Sequence, residues 1–434
     1  MSFIKYIQQY FVRYQFWVVV MFFAIFALTF TRPYVDTTNN SSRFMTMQSI
    51  VEHGTITISD QHFYTDDKIF REGNFYSSKP PVLSIAGAGI YFVLHNVFDL
   101  DIHILEQSWA IYFLNIILTG GSFFLLLFIL YKIIKLLDVR QEYRLLVLSG
   151  FAVGTLFFSY FISLNNHTIA GSMLLLGFYF LLKLKLKESS NYKKYIGLAG
   201  FFLSLAAVID LPTGLAFLGL FFVYCLVVFP KKYLIYYALA ALPMLILHLA
   251  FNYQVTGDFL PPQLHLEFWR PEDVARILAS RSNVVVYLIN ILVGTHGLFS
   301  YTPILLFAAY SMYRILKNKD SKFRVEALIV FTGFLIIALY YTFKVRIYTG
   351  AAFGYRWFMA ITPLIYFFLL VLFTKKRSQR FLGLFFVAMV FSVAVALIGF
   401  LSPWGGSVVN VLLPNGEMSK FEFPLLANII ELLK

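Results

Sequence analysis

From Tyr14 to Leu401 the chain is a succession of long apolar runs with almost no charge inside them, separated by short polar or basic segments. A helix needs roughly 17–25 such residues to cross a bilayer. The hydrocarbon offers no water to an open backbone, so such runs must be helical where they cross. Charged residues make up 13% of the chain, against about 25% in an ordinary soluble protein. The pattern therefore specifies an all-α polytopic membrane protein. The run from Tyr14 to Thr31 is followed by Arg32-Pro33. That lacks the small-residue cleavage site of a signal peptide, so it is read as the first membrane helix.

Charge sets the orientation. Lys5 and Arg13 precede the first span, which places the N-terminus in the cytoplasm. Residues 32–98 then form a first external loop. The apolar run 82–98 is the difficult one. If it crossed, the basic segment Lys132, Lys135, Arg140 and Arg144 would face outward, so it is read as an interfacial or re-entrant helix. The later runs alternate, with basic groups Lys183 to Lys194, Lys231-Lys232, Arg314 to Lys319 and Lys375-Lys376-Arg377 on the inner side. Residues 282–313 are too long for one span and are split at Thr295-His296-Gly297, the first part lying at the outer face. The total is about 11 transmembrane helices with outer-face interfacial helices, in one domain spanning residues 1–434.

The net charge of +13 is accounted for by these inner basic loops, so no nucleic-acid partner is expected. The inner segments hold only Asp138, Glu142, Glu188, Asp320 and Glu326 among the acids. The remaining carboxylates lie outside, which the orientation rule does not demand, and this marks the outer face as functional. No internal repeat of the kind found in many transporters is evident. The single cysteine, Cys225, rules out an internal disulfide.

Three outer groups carry candidate chemistry. Asp36 lies just beyond the first span with Asn39, Asn40 and Arg43. Lys79-Pro80-Pro81 aims one lysine from a rigid backbone. Gly354-Tyr355-Arg356 brings a planar guanidinium to the start of a span. Each has a plainer reading: Asp36 pairing with Arg43, Lys79 snorkelling to the interface, Arg356 as a membrane-edge arginine. An outward acid and two outward cations beside apolar helices suit a lipid with a phosphate headgroup. The cations hold phosphate, and the carboxylate takes a proton from an attacking hydroxyl. Asp99-Leu100-Asp101 could hold a divalent metal through oxygen ligands, but the pattern is common by chance. No cofactor is expected. His167 and His296 sit at outer turns without zinc-like spacing, and Asp210 lies at a membrane boundary before Pro212.

The segments Tyr34-Val35-Asp36, Arg43 to Gly54, Thr65-Asp66-Asp67-Lys68 and Phe75 to Pro81 resemble the first external loop of GT-C glycosyltransferases. Those most similar are the protein O-mannosyltransferases and the lipid A aminoarabinose transferases. Asn165-Asn166-His167, Gly297 to Pro303 and Gly354-Tyr355-Arg356 extend the resemblance. It implies an inner-membrane enzyme, active on the outer face, that moves a sugar from a polyprenyl phosphate to a glycan, lipid or protein acceptor, with inversion. It assigns the base best to Asp36. Because Asp36 is followed by Thr-Thr where the family commonly has a paired Asp-Glu, Asp60, Asp66 and Asp67 stay open. Substrate contacts are expected from Arg43, Tyr76, Lys79, Pro80, Asn166, His167, Tyr355 and Arg356. The competing class is a transporter or flippase for a lipid-linked sugar.

Overall fold

The computed structural model describes residues 3–279, 281–348, 352–405, 408–412 and 418–434. The side chains of Lys5 and Arg13, on which the placement of the N-terminus rests, lie outside the described residues. Among the described residues, seven helices are long and apolar enough to cross a membrane by length and composition: Trp109–Leu136, Asn166–Lys185, Tyr192–Ile209, Leu211–Val228, Lys231–Thr256, Arg324–Val345 and Gln379–Leu401. The other expected spans are also helical. They are α1 (Phe3–Phe30), the broken pair Gln141–Gly154 and Leu156–Tyr160, and the shorter Leu305–Lys317 and Thr362–Leu372. The break in the pair falls at Thr155, which is extended (φ −127°, ψ 164°) and turns its hydroxyl back to the Phe151 carbonyl at 2.9 Å. Such back-bonding competes with the helical ladder.

Lipid tails give helices no hydrophobic reason to associate, so small residues that let backbones touch matter more. A Cβ on Gly200 would stand 2.3 Å from the Tyr237 carbonyl oxygen, and one on Gly214 would stand 2.4 Å from that of Ala206. Alanine at either position would push helices apart.

The segment after α1 folds at one end of the bundle. It contains α2 (Thr38–Glu52), a hairpin of β1 (Lys68–Arg71) and β2 (Asn74–Ser77), and α3 (Val82–Phe98). The hairpin registers Lys68 with Ser77 and Arg71 with Asn74. The sequence reading did not anticipate it. Near the start of α3, the Pro80 carbonyl accepts from Arg43 Nη1 at 3.2 Å. Three residues past its end, the Asp101 carbonyl accepts from Ser108 Oγ at 2.6 Å, while the Ser108 N–H donates to the Pro33 carbonyl at 2.7 Å. A crossing α3 would separate Asp101 from Pro33 by about 30 Å of hydrocarbon. One serine instead bridges them, so α3 begins and ends at the same end of the bundle, alongside α2. The split at residues 295–297 is present too: Val284–Leu292 and Leu298–Tyr301 are separate helices before Leu305–Lys317.

Beyond the last long helix the chain does not trail away. Pro424–Leu432 packs against Gln379–Leu401, with Asn428 Nδ2 donating to the Ser402 carbonyl at 2.8 Å.

Candidate active site

The polar helix α2 is the base of the site. Thr37 caps it, its side chain accepting from the Asn40 N–H at 3.2 Å. The composition of α2 suits a surface helix, yet Asn40 to Met47 are all buried. Burial is tolerable because the hydroxyls find partners. Ser41 donates to the Tyr64 carbonyl (2.9 Å), Ser42 to that of Asp67 (2.7 Å), and Thr65 back to that of Thr38 (2.7 Å). These bonds clamp the hairpin strand β1 onto α2 and so fix Asp67 and Lys79.

Arg43 points inward and is 1% exposed. Its Nε donates to Asn39 Oδ1 at 3.3 Å and its Nη1 to Pro80. Lys79 meets Asp67 at 2.7 Å, and Thr38 Oγ1 donates to the other Asp67 oxygen at 3.3 Å. Arg356 lies on the Trp404 ring, 4.8 Å from its centroid, a cation–π contact. Asp210 receives His167 Nδ1 at 2.7 Å, and both are buried. The electrostatics join these groups into one cluster. Burial lowers the pKa of Arg43 to about 10, with Asp67 and Asp210 opposing the shift and Arg356 adding to it. Burial lowers Lys79 as well, against the pull of Asp67 and with the push of Arg43 and Arg356. Arg356 is lowered by burial and supported by Tyr160, Asp67 and Asp210. Three cations thus face two carboxylates in a region shielded from water, an excess of positive charge that suits an anion.

Two acids near the cluster have opposite environments. Burial would push Asp67 up, but Lys79, Arg356 and Thr38 together hold it below its ordinary value. Asp36 is raised. Burial dominates there, and Arg32 and Ser163 offset it only in part. Arg32 Nη1 reaches Asp36 Oδ1 at 3.2 Å, and the carboxylate side chain is 2% exposed. Its Oδ2 is buried with no hydrogen-bond partner among the described residues. Ser163, whose hydroxyl accepts from Trp404 Nε1 at 2.7 Å, connects Asp36 to the ring that carries Arg356.

The structure thus brings together Arg43, Lys79, Asp67, Arg356 and His167, with Asp36 one serine away and Pro80 contributing a carbonyl. Asp36 pairs with Arg32 rather than with Arg43. Asn166 opens the helix that carries His167, its Nδ2 3.5 Å from His167 Nδ1. Tyr355 is buried with its hydroxyl 2.6 Å from that of Tyr287. Tyr76 sits in β2 opposite Ile69. Asp60 is exposed on the short helix Ser59–Tyr64, and Asp66 is exposed and paired with Arg270 at 2.8 Å. Arg32, Ser163 and Trp404 were not singled out from sequence. Arg32 had a signal, four residues before Asp36, and Trp404 had another, as an interfacial aromatic just after a span.

A second polar loop closes over the first. Gln263 Nε2 donates to the Ser78 carbonyl, Arg270 holds Asp66, and Arg71 donates to the Val255 carbonyl at 3.3 Å. Gly257 (φ +86°) lies under the Arg71 guanidinium, where a Cβ would come within 2.7 Å of Nη2.

No protein-family model matches the sequence, and no curated protein matches it. Among solved structures, the chain is similar to ArnT, the lipid A aminoarabinose transferase, from Cupriavidus metallidurans. The apo structure aligns with TM-score 0.53 at 13% identity, covering 87% of this chain and 62% of that one. A second structure of that protein, bound to undecaprenyl phosphate, aligns with TM-score 0.52 at 13% identity, covering 87% and 63%. The chain spans less than two thirds of that relative's length. The shared architecture makes this a polytopic membrane protein with the fold of that transferase.

Proposed function

We propose that the protein is a membrane glycosyltransferase that takes a sugar from a polyprenyl phosphate and passes it to an acceptor hydroxyl at the outer face of the inner membrane. The observation that carries this reading is the buried cluster in which Arg43, Lys79 and Arg356 outnumber Asp67 and Asp210, beside the desolvated carboxylate of Asp36. The ArnT structure that holds undecaprenyl phosphate supports the donor class.

The acceptor oxygen attacks the anomeric carbon, the bond from that carbon to the phosphate oxygen breaks, and the acceptor proton passes to Asp36. One displacement inverts the anomeric centre. A carboxylate raised above its ordinary value is a better proton acceptor than one held down, which favours Asp36 over Asp67. Asp67 instead aims Lys79, and the exposed Asp60 plays no part. Arg43, Lys79 and Arg356 stabilise the charge that grows on the departing phosphate. His167, held by Asp210, lines the same cluster. Tyr355 packs among Tyr287, Tyr341 and Phe358 rather than on the cluster, and Tyr76 belongs to the hairpin frame.

The test is turnover by the purified protein in detergent with a polyprenyl-phosphate sugar and a mixed panel of glycan, lipid and peptide acceptors. Release of free polyprenyl phosphate coupled to acceptor glycosylation is expected. Movement of intact donor across a reconstituted bilayer without its cleavage would establish the transporter class instead.

A further inference from the structure

At the far end of α2 from Arg43 a second set of polar side chains converges. Glu52, His95 and Asp101 each offer one ligand atom, and these atoms all lie within 4.8 Å of one another. They come from three separate places: the last residue of α2, the last turn of α3, and the loop after α3. We propose that this trio is a divalent-cation site, best suited to Zn²⁺, which fastens α2, α3 and the returning loop together.

The chemistry of the donors selects the ion. One imidazole nitrogen with two carboxylate oxygens is a ligand set for Zn²⁺, whose bonds to nitrogen and oxygen run about 2.0–2.2 Å. Ligands around one ion at that radius stand no more than about 4.4 Å apart, so the trio needs little movement to close on it. Mg²⁺ prefers oxygen ligands and keeps several waters, so the imidazole argues against it.

The surroundings are arranged as a support for such a site. Glu52 accepts from the Tyr91 hydroxyl on one oxygen and from Gln48 Nε2 at 3.1 Å on the other. Tyr91 is itself fixed, accepting from the Ile102 N–H at 3.2 Å. Gln48 is held in turn by Gln61, whose Nε2 donates to Gln48 Oε1 at 3.0 Å. His95 Nδ1 is 2.7 Å from Asp101 Oδ1. Hydrogen-bonded partners behind the ligands are what orients metal-binding side chains. Asp101 and His95 are half-exposed, which leaves an entry path from water. The Asp-Leu-Asp pattern seen in the sequence is divided here. Asp99 ends α3 in a left-handed conformation (φ 55°) and is not part of the trio, whereas Asp101 is.

The site does not touch the cationic cluster, so it is a structural staple, and it stands or falls independently of the glycosyltransferase reading. The test uses the full chain in detergent, stripped with chelator and titrated with Zn²⁺, Mn²⁺ and Mg²⁺ in parallel. Binding is read by calorimetry and by the shift in melting temperature. Wild type should take up one equivalent of Zn²⁺ with a rise in Tm, and Mg²⁺ should give neither. Asp101→Asn preserves shape and hydrogen bonding and should weaken Zn²⁺ binding at least about tenfold, as should His95→Ala. His103→Ala, at an exposed neighbour outside the trio, should bind like wild type. Zn²⁺ uptake that is unchanged in Asp101→Asn and His95→Ala, or absent in wild type, would overturn the proposal.

Discussion

The helix Asn166–Lys185 has buried charge at both ends, and the two ends are built differently. At one end Lys185 Nζ lies 2.6 Å from each oxygen of Glu326, and the Tyr224 hydroxyl donates to Glu326 Oε1 at 2.6 Å. Glu326 is 0% exposed, but one cation meets one anion and the carboxylate is fully engaged. About 27 Å away along the helix, His167 belongs to a group in which three cations face two acids. There Asp36 Oδ2 and Arg356 Nε are buried without a partner among the described residues. A charge set that satisfies itself holds helices together. One that leaves charge and hydrogen-bonding capacity over is poised for something that arrives from elsewhere. Burial alone does not separate the two cases; the balance does.

Three substitutions probe that contrast. The largest effect is expected at Asp36. Asp36→Asn keeps shape but cannot accept a proton, and turnover should fall by about 10²–10⁴ with donor binding retained. In wild type the acid limb of the pH–rate profile should lie above that of an ordinary aspartate, because only the ionised form accepts the proton and burial raises Asp36. Turnover close to wild type in Asp36→Asn would transfer the role to another acid of the first loop.

The next effect belongs to stability rather than to rate. Glu326→Ala leaves the half-buried Lys185 and the buried Tyr224 hydroxyl without their acceptor, which should cost about 1–3 kcal/mol. A lower melting temperature in detergent should accompany near-normal turnover per folded molecule. If Glu326→Ala lost turnover while keeping its melting temperature, the two ends would not differ as argued.

The smallest effect is expected from Arg356→Lys. Charge is kept, but the planar contact with Trp404 is lost. Donor KM should rise about tenfold, near 1.4 kcal/mol. An unchanged KM for the donor would place phosphate recognition on Arg43 and Lys79 alone.

The helices of this fold were legible because a bilayer imposes length and polarity on every crossing segment. The non-crossing helix α3 was legible for a related reason, since the basic loop after it fixed the parity of crossings. The site was legible only as a set of residues near chain positions 36, 79 and 356. Their partners are not local. Lys79 finds Asp67 across the hairpin, and His167 finds Asp210 from another helix. The reading of Asp36 against Arg43 failed at the side-chain level: Arg32, four residues earlier, reaches the carboxylate, while Arg43 is turned toward Pro80. The hairpin at 68–77 was missed because its strands are only four residues each, too short for an alternation to stand out. Trp404 was legible as an interfacial aromatic after a span, but its fold-back onto Arg356 was not.

That fold-back has a consequence for how the molecule comes into being. The Pro403 carbonyl accepts from the Phe353 N–H at 2.9 Å and from the Tyr160 hydroxyl at 3.1 Å. The Leu401 carbonyl accepts from Arg32 Nη2 at 3.3 Å. The residues that follow the first span are therefore closed over by residues that follow the last. A ribosome releases Arg32 and Asp36 long before residues 401–404, with every other crossing helix threaded into the bilayer in between. During that interval the early acid and the late arginine have no common enclosure. The enclosure shared by Asp36 and Arg356 therefore forms only after the span that ends at Leu401 has been inserted.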